Sequence, residues 1–583
     1  MSCHLLGAHQ ENDLHSRRLA VRNSLCVGLG VTAGSSSSAE STVGQANRGT
    51  RQYRYAGPSV VASKLAPLFR LFAAGCLALA IGPISSGAET GFKHCGLYVH
   101  ACWLYNYPFA TRTWNRPDYG RLFRLLKTFG YDEVMLWPML EAIPSPLSAD
   151  DAEALRGYRP IIENAHREGL ECWLTLSLCT TDEKIAEKPW PKRNFYAVRK
   201  DVRLDDPAER EAWLKHQAAM LAILNDADAY VTIDSDPGGY PGAKAEDFLR
   251  VFQDDRRTID RVGVRPRSQK IMPWIWGGWG MKGWEEPAGP RLARLAHELE
   301  VYKSAMKEGW ELMPGRNGGD YGCGRLNMPL AEKAGLMPAS TLMFYDSIEG
   351  EPSVPHTKLQ FDDIRRALRQ ERQYASRARG CFGNCQTAIL QLPNIYFFVR
   401  AARDPRYLDR PDGAVLADFA RLLGGPPELL VPTWSCLRLR LDQLPAELPA
   451  KLRQAELTGQ AAQNIPGGPR SYLNILAAEV DSHRRLLEAC RGPAKSEQEA
   501  AGRLADGVRA MVDWWTLHRY TFDRDAKAFS WDYVWGSESG LLRQWARQNK
   551  HWPNLVRLAA QRLAREGILP RDIAQARVVE VMK

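Results

Sequence analysis

Short apolar segments alternate with longer segments of helical periodicity along most of this chain, and the alternation repeats eight times between residues 95 and 404. The apolar segments have the length and composition of strands. They lie at 95–104, 132–139, 170–178, 230–233, 269–279, 310–315, 340–348 and 380–388. Because they are almost continuously apolar, we expect a parallel sheet that is buried on both faces. Eight successive strand–helix units predict a closed (β/α)8 TIM barrel, an α/β fold.

Glycines support this alternation, because several of them come just before a predicted strand, where a helix has to end. They are Gly130, Gly169, Gly263, Gly309, Gly335 and Gly380. A doubly wound open sheet is the alternative, but it would carry a glycine-rich turn after its first strand. The segment HACWLYNYPF at 100–109 contains no glycine. Between the second and third strands, the periodicity predicts one helix over about 148–169.

After residue 403 the strand pattern stops. The segments 413–437, 470–490, 505–520 and 539–567 all have the periodicity of amphipathic helices. The segment NIPGGPRS at 464–471 predicts a loop between two of them. We therefore predict a catalytic barrel domain at 91–403 and an all-helical C-terminal domain at 404–583.

The first ninety residues differ from the rest. Residues 61–88 combine the basic residues Lys64 and Arg70, an apolar run and a small-residue segment, which is the pattern of a secretory signal peptide. A signal peptide belongs at the terminus of a chain. We therefore expect a start codon near Val60 or Val61, with residues 1–60 disordered or an artefact of the gene model.

The signal segment predicts a periplasmic or secreted protein. The sequence FAAGC, which ends at Cys76, resembles a lipobox. The apolar run continues beyond it, so a lipoprotein is the less favoured alternative. No other segment has about 20 uninterrupted apolar residues, so we expect no membrane span in the mature protein.

The charge pattern argues against a nucleic-acid partner, and the cysteine and histidine spacing argues against a metal. The net charge is +10, but Lys and Arg are scattered along helical segments among acidic residues rather than clustered. The spacing Cys381-x-x-x-Cys385 has no matching second pair, and the first strand lacks a His-x-His pair. We therefore expect neither a metal nor another cofactor. The oligomeric state is left open.

Residues just past each strand are the candidates for chemistry, because the active site of such a barrel lies at the carboxyl ends of the strands. This set is rich in carboxylates and tryptophans and poor in histidines. It comprises His100, Trp103, Trp137, Glu141, Ser177, Thr180, Asp234, Asp236, Trp274, Trp276, Trp279, Arg316, Asp320, Asp346, Glu349, Glu351, Asn384 and Gln386. Aromatic rings stack on the apolar faces of sugars, and glycosidic bond cleavage needs two carboxylates. The composition therefore points toward sugars.

Asp234 and Asp236 follow the fourth strand directly, in the segment YVTIDSDPGGYPG. Two nearby carboxylates push their pKa values apart, so that one can hold a proton near neutral pH. Asp236 is then the predicted general acid, with Asp234 tuning it. Alternatively, the pair acts in substrate-assisted catalysis, or Asp234 only caps the turn. Asp346 or Glu349 is the predicted second carboxylate.

Aromatic and polar strand-end residues are the predicted sugar contacts. Trp274, Trp276 and Trp279 are spaced so that their side chains are expected on the same face, and core packing is the alternative for one or two of them. The remaining predicted binding residues are His100, Trp103, Trp137, Arg316, Asn384 and Gln386.

The Asp-x-Asp-Pro-Gly-Gly strand end, the segment DEVMLWPM and the segment GNCQTAILQLPNIYFF resemble bacterial TIM-barrel glycoside hydrolases of the hexosaminidase-like and α-glucuronidase-like kinds. The resemblance covers about residues 95–440. It implies an acid at the end of strand four, a role carried over to Asp236 with Asp234 as its partner. Family-20 hexosaminidases carry an adjacent Asp-Glu pair at this position, where this chain has Asp-Ser-Asp.

The expected activity is glycoside hydrolysis by carboxylate general acid/base catalysis. The alternative is a carbohydrate-binding barrel that uses the same tryptophans without turnover. A third possibility is a scaffold that binds a partner through residues 404–583.

Overall fold

Eight parallel strands form a closed barrel, and the last strand pairs with the first. The barrel strands are β1 (His94–Val99), β2 (Glu133–Leu136), β3 (Glu171–Ser177), β6 (Ala229–Ile233), β7 (Lys270–Ile275), β8 (Met313–Arg316), β9 (Thr341–Phe344) and β10 (Gly380–Cys385). Their order around the barrel follows their order in the chain. The predicted (β/α)8 barrel is thereby confirmed.

The computed structural model describes residues 90–99, 114–177, 179–181, 199–233, 244–265, 268–275, 288–316, 327–345, 347–349, 359–436, 445–491, 495–516 and 552–567. Several predictions lie outside these residues. They concern the segments 1–60 and 61–88 and the site residues His100, Trp103, Asp234, Asp236, Trp276, Trp279 and Asp346.

The barrel interior is filled by aromatic and methionine side chains, because each strand points alternate residues inward. They include the rings of Tyr98, Trp173, Trp274 and Phe382 and the strand methionines Met135, Met272, Met313 and Met343. The outward residues of the same strands, such as Leu97, Val134 and Leu174, join the larger core beneath the helices. Each strand therefore contributes apolar side chains both to the barrel interior and to the core beneath the helices, which is why the strand segments are almost continuously apolar.

Gly96 makes room for the Phe382 ring on the neighbouring strand. A Cβ at position 96 would lie 2.2 Å from the Phe382 Cζ atom. No side chain larger than hydrogen fits there unless the ring moves. The pair shows how a small residue on β1 is matched to a large one on β10.

Helices follow the strands around the barrel. They are α1 (Arg116–Phe129), α2 (Ala149–Arg156), α3 (Arg159–Arg167), α4 (Pro207–Leu221), α5 (Ala245–Val262), α6 (Ala288–Ala305), α7 (Asn327–Lys333), α8 (Phe361–Glu371) and α9 (Leu392–Arg403). Helix α1 shows why they form where they do. The Asn115 side chain accepts the Asp118 N–H at its start, and Gly130 ends it in the left-handed conformation.

Two local predictions are corrected by the structure. The single helix expected over about 148–169 is two helices, α2 and α3, separated at Gly157 and Tyr158. Pro160 in the first turn of α3 lacks an N–H, and its ring excludes a helical carbonyl four residues earlier. The connection between β3 and α4 contains an unpredicted antiparallel pair, β4 (Cys179–Thr181) with β5 (Arg199–Asp201).

A helical region follows the barrel, as predicted. Its helices are α10 (Asp412–Leu422), α11 (Pro427–Cys436), α12 (Leu448–Gln454), α13 (Gln460–Gln463), α14 (Pro469–Arg491), α15 (Glu497–Thr516) and α16 (Trp552–Arg565). Within the described residues, no helix combines the length and apolar character needed to cross a membrane.

Aromatic packing joins this helical region to the barrel helices. The Phe419 ring of α10 lies 5.8 Å from Phe129 of α1 and 5.2 Å from Tyr396 of α9, measured between ring centroids. The loop before α14 also contacts α1, because the Gly467 N–H donates a 3.0 Å hydrogen bond to the buried Asp118 carboxylate. The first helices beyond residue 403 therefore share one hydrophobic core with the barrel.

Charged side chains close the amino-terminal end of the barrel. The Arg379 guanidinium lies 2.8 Å from Glu133, 3.1 Å from Glu171 and 3.4 Å from Glu311, and Lys270 lies 2.6 Å from Glu171. Burial raises the pKa of Glu133 to about 7, although Arg379 opposes the shift. This charge cluster lies at the end of the barrel opposite the one where such folds place their active sites.

Candidate active site

The carboxyl ends of the barrel strands carry an inward-facing layer of aromatic and polar side chains, here called the mouth layer: Tyr98, Trp137, Trp274, Tyr345 and Asn384. Tyr98 and Asn384 lie opposite each other in the β1–β10 register. The Trp274 ring meets Tyr98 edge-on, with centroids 5.5 Å apart, and lies equally far from Tyr345. Trp137 belongs to the same interior cluster. The mouth layer thus brings together three of the predicted binding residues.

Trp274 is deeply buried within this layer. It is only 2% exposed, and Gly315 on β8 makes room for its indole, since a Cβ there would lie 2.7 Å from Nε1. This position fits the core-packing alternative for one of the tryptophans. Sugar stacking on Trp274 stays a prediction.

Glu141 is a buried carboxylate beside the mouth layer. Its Oε1 accepts a 2.5 Å hydrogen bond from the Trp137 indole N–H, and the side chain is 3% exposed. Met139, two residues earlier, has a φ of 53°, which is uncommon for a residue with a side chain and often occurs at functional sites. Glu141 is among the strand-end candidates, but it is not one of the predicted catalytic or sugar-binding residues. Its position inside the apolar segment LWPMLEAI was the available signal.

A buried carboxylate outside the barrel anchors the end of β6. The Thr232 hydroxyl donates a 2.8 Å hydrogen bond to Asp255 of α5, whose other oxygen accepts a 2.9 Å bond from the Gln217 amide of α4. Burial raises the pKa of Asp255 to about 6, against the opposing effect of these two hydrogen bonds. The strand that leads to Asp234 is therefore fixed to both flanking helices.

Asp255 is not among the residues that the sequence pattern selects. It lies in the apolar stripe of α5 formed by Phe248, Val251, Phe252 and Ile259, all of which are buried. A carboxylate in such a stripe needs a buried partner, because an unpaired buried charge is costly. A carboxylate within this apolar stripe thus indicates a buried hydrogen-bond partner, but the sequence does not show that the partner is Thr232.

The predicted catalytic aspartates adjoin the mouth layer in the chain. Strand β6 ends at Ile233, directly before Asp234, and Tyr345 directly precedes Asp346. Ile233 packs against the interior cluster. Asp234, Asp236 and Asp346 themselves lie outside the described residues, so their catalytic roles stay predictions.

Among the described residues, Arg316 contacts the helix layer around the barrel. Its Nε donates a 3.1 Å hydrogen bond to Glu371 of α8, and it also contacts Gln370. The cause is strand alternation, which directs Gly315 toward the Trp274 indole and Arg316 toward the helix layer. This pairing packs β8 against α8, and the sugar contact of Arg316 stays a prediction.

Glu349 and Gln386 are joined by a direct hydrogen bond. The Gln386 backbone N–H donates to the Glu349 carboxylate at 2.7 Å, and both residues are buried. Burial raises the pKa of Glu349, and hydrogen bonds from Thr387 and Gln386 oppose the shift. This contact ties the segment after β9 to the end of β10.

Comparisons with known proteins add likenesses of fold. No protein-family model and no curated protein sequence matches this chain. Among solved structures, an O-GlcNAc hydrolase from Thermobaculum terrenum matches at 10% identity with a TM-score of 0.38, over 84% of this chain and 94% of that one. A GH138 enzyme targeting pectin rhamnogalacturonan II matches at 10% identity with a TM-score of 0.42, over 81% of this chain and 67% of that one.

A family 5 glycoside hydrolase from Prevotella bryantii matches at 11% identity with a TM-score of 0.35, covering 55% of this chain and 96% of that one. At such identities and TM-scores, these likenesses do not bear on the activity of this chain. The barrel is established by its own strand pairing.

Proposed function

We propose that this chain is a glycoside hydrolase whose active site lies at the carboxyl ends of the barrel strands. The observation that carries the proposal is which residues come next in the sequence after those at the mouth of the barrel. Tyr345 of the mouth layer is followed directly by Asp346, and Ile233, which packs against the interior cluster, is followed directly by Asp234. Strand-end carboxylates beside inward-facing aromatic rings supply the two kinds of group that sugar hydrolysis requires.

Asp236 is the proposed general acid. It would protonate the leaving glycosidic oxygen, while Asp234, two residues earlier, keeps part of the negative charge and shifts the pKa of its neighbour. Asp346 is the proposed second carboxylate, which stabilises or attacks the oxocarbenium-like centre or activates water. Trp137 and Trp276 would contact the apolar face of the sugar, and Asn384 and Gln386 would bind hydroxyls.

Export is part of the proposal and rests on the signal-like segment 64–88. N-terminal sequencing of the mature protein tests it separately from activity. A mature terminus close to residue 89 is expected. A terminus upstream of Leu71 would contradict export by this segment.

The proposed activity is tested by presenting the purified protein with a panel of aryl glycosides and natural glycans. Turnover of at least one substrate, with release of the free sugar, is expected. Binding of a glycan without turnover would favour the carbohydrate-binding alternative. Neither binding nor turnover across the panel would contradict both.

A further inference from the structure

The segment after β9 is bound to the end of β10 through one carboxylate. Glu349 Oε2 accepts the backbone N–H groups of Gln386 at 2.7 Å and Thr387 at 2.8 Å. The Thr387 hydroxyl donates to Oε1, and the Cys385 sulfur lies 3.4 Å from Oε2. Both oxygens of Glu349 are therefore engaged by donors from three consecutive residues.

The same segment is held from a second side by α9. The Asn394 side-chain amide donates to the Ile348 carbonyl at 3.1 Å, and its oxygen accepts the Gln360 N–H at 3.0 Å. Asn394 lies in the first turn of α9, the helix that follows β10. Residues 347–349 are thus fixed to the strand and to the helix of the next barrel unit.

We propose that Glu349 is a positioning residue of the active site, and not the second catalytic carboxylate. This inference rests on the proposed function. Glu349 is 4% exposed, and its lone pairs are directed at backbone and hydroxyl donors of the protein, so it is poorly placed to attack or protonate a sugar. Its task is to hold the end of β10, including Asn384 and Gln386, against residues 347–349.

The chemistry of sugar binding explains why these hydrogen bonds of Glu349 matter. Each sugar hydroxyl needs a donor or an acceptor at a defined place, and misplacement by about 1 Å can reduce rates by roughly 100-fold. In Glu349→Gln the amide keeps one oxygen for the N–H groups of Gln386 and Thr387, but that oxygen is uncharged and accepts more weakly, and an NH2 group replaces the oxygen that accepts the Thr387 hydroxyl. Weakening buried hydrogen bonds is costly, so the strand end would rearrange.

The test compares Glu349→Gln with Glu133→Gln, a change at another buried carboxylate, at the opposite end of the barrel. The kinetics use the aryl glycoside that the wild type turns over best. Hydrogen–deuterium exchange is followed in peptides covering residues 380–391. We expect kcat/KM of Glu349→Gln to fall about 10- to 100-fold with faster exchange in this peptide and an unshifted pH–rate profile. Glu133→Gln should keep kcat/KM within about twofold.

Three outcomes would overturn the assignment. A loss of activity with unchanged exchange and a missing limb of the pH–rate profile would make Glu349 a catalytic residue. Unchanged kinetics with faster exchange would reduce it to a structural contact, and no change in either would remove it from the site.

If Glu349→Gln does not fold, Thr387→Val, which removes one donor and preserves shape, should show a smaller effect in the same direction. Failure of the proposed function is distinct, because the wild type would then turn over no glycoside.

Discussion

The Thr232 hydroxyl on β6 donates a 2.8 Å hydrogen bond to the buried carboxylate of Asp255 on α5. This contact fixes the outer side of the strand whose next residues are Ile233 and Asp234. A catalytic group at a strand end must be held within a fraction of an ångström, and a buried hydrogen bond on the strand just before it helps to hold it. The helix layer thus anchors from outside the strand that leads to Asp234, the proposed partner of the general acid.

Removal of the Thr232 hydroxyl should weaken both stability and activity. In Thr232→Val the shape is preserved, but Asp255 loses one of its two side-chain donors, so the free energy of unfolding should fall by about 1–2 kcal/mol. We expect kcat/KM on an aryl glycoside to fall by about tenfold. Thr128→Val on the exposed face of α1, where the hydroxyl bonds its own helix, is the matched control. Equal effects of the two substitutions would contradict an anchoring role for Thr232.

Glu133 should make the stability of the protein depend on pH. Its pKa is raised from 4.5 to about 7 in the folded protein, so folding favours the protonated form. Its stabilising contribution is complete below about pH 4.5 and is lost as the pH rises through 7. The charges that face it are Arg379, Glu171 and Lys270.

Urea unfolding at several pH values between 4.5 and 8 measures this effect. Glu133→Gln cannot titrate, so its unfolding free energy should decline less over this interval than that of the wild type. Glu153→Gln, at a carboxylate that is 76% exposed, serves as the control and should follow the wild type. Parallel curves for wild type and Glu133→Gln would contradict the raised pKa.

Gly96 should not tolerate a methyl group. The Cβ of alanine would lie 2.2 Å from the Phe382 ring in the closely packed barrel interior, so Gly96→Ala should destabilise the protein by about 1–3 kcal/mol. Gly413→Ala on α10 is the opposite case, since nothing lies within 4 Å of its Cβ position. Alanine there should be neutral or should stabilise by up to about 1 kcal/mol. Thermal unfolding measures both, and a tolerated alanine at 96 would show that the interior is less tightly packed.

The barrel was predictable because its signals are local and repeated. Each strand is a run of apolar residues and each helix has its own periodicity, so eight agreeing units outweigh an error in any one of them. The helix break at Pro160 was also local, but the apolar periodicity on both sides concealed it. Strands β4 and β5 are three residues each, too short for a periodic signal.

The contacts of the candidate site were not predictable in the same way. Glu349 meets Gln386 and Asp255 meets Thr232 across long sequence separations, and only the closed barrel brings them together. The outward direction of Arg316 depends on the phase of the four-residue strand β8, which no alternation in the sequence reveals. The strand ends could be identified from the sequence, whereas the folded barrel determines which side chains face its mouth.

The most direct test of the proposed hydrolase is the effect of Asp236→Asn on the glycoside that the wild type turns over best. The account predicts that kcat falls by about 100-fold or more, because a general acid is lost, while thermal stability and glycan binding stay close to wild type. Thr128→Val serves as a folding and handling control. Undiminished turnover by a folded Asp236→Asn protein would contradict the proposed mechanism.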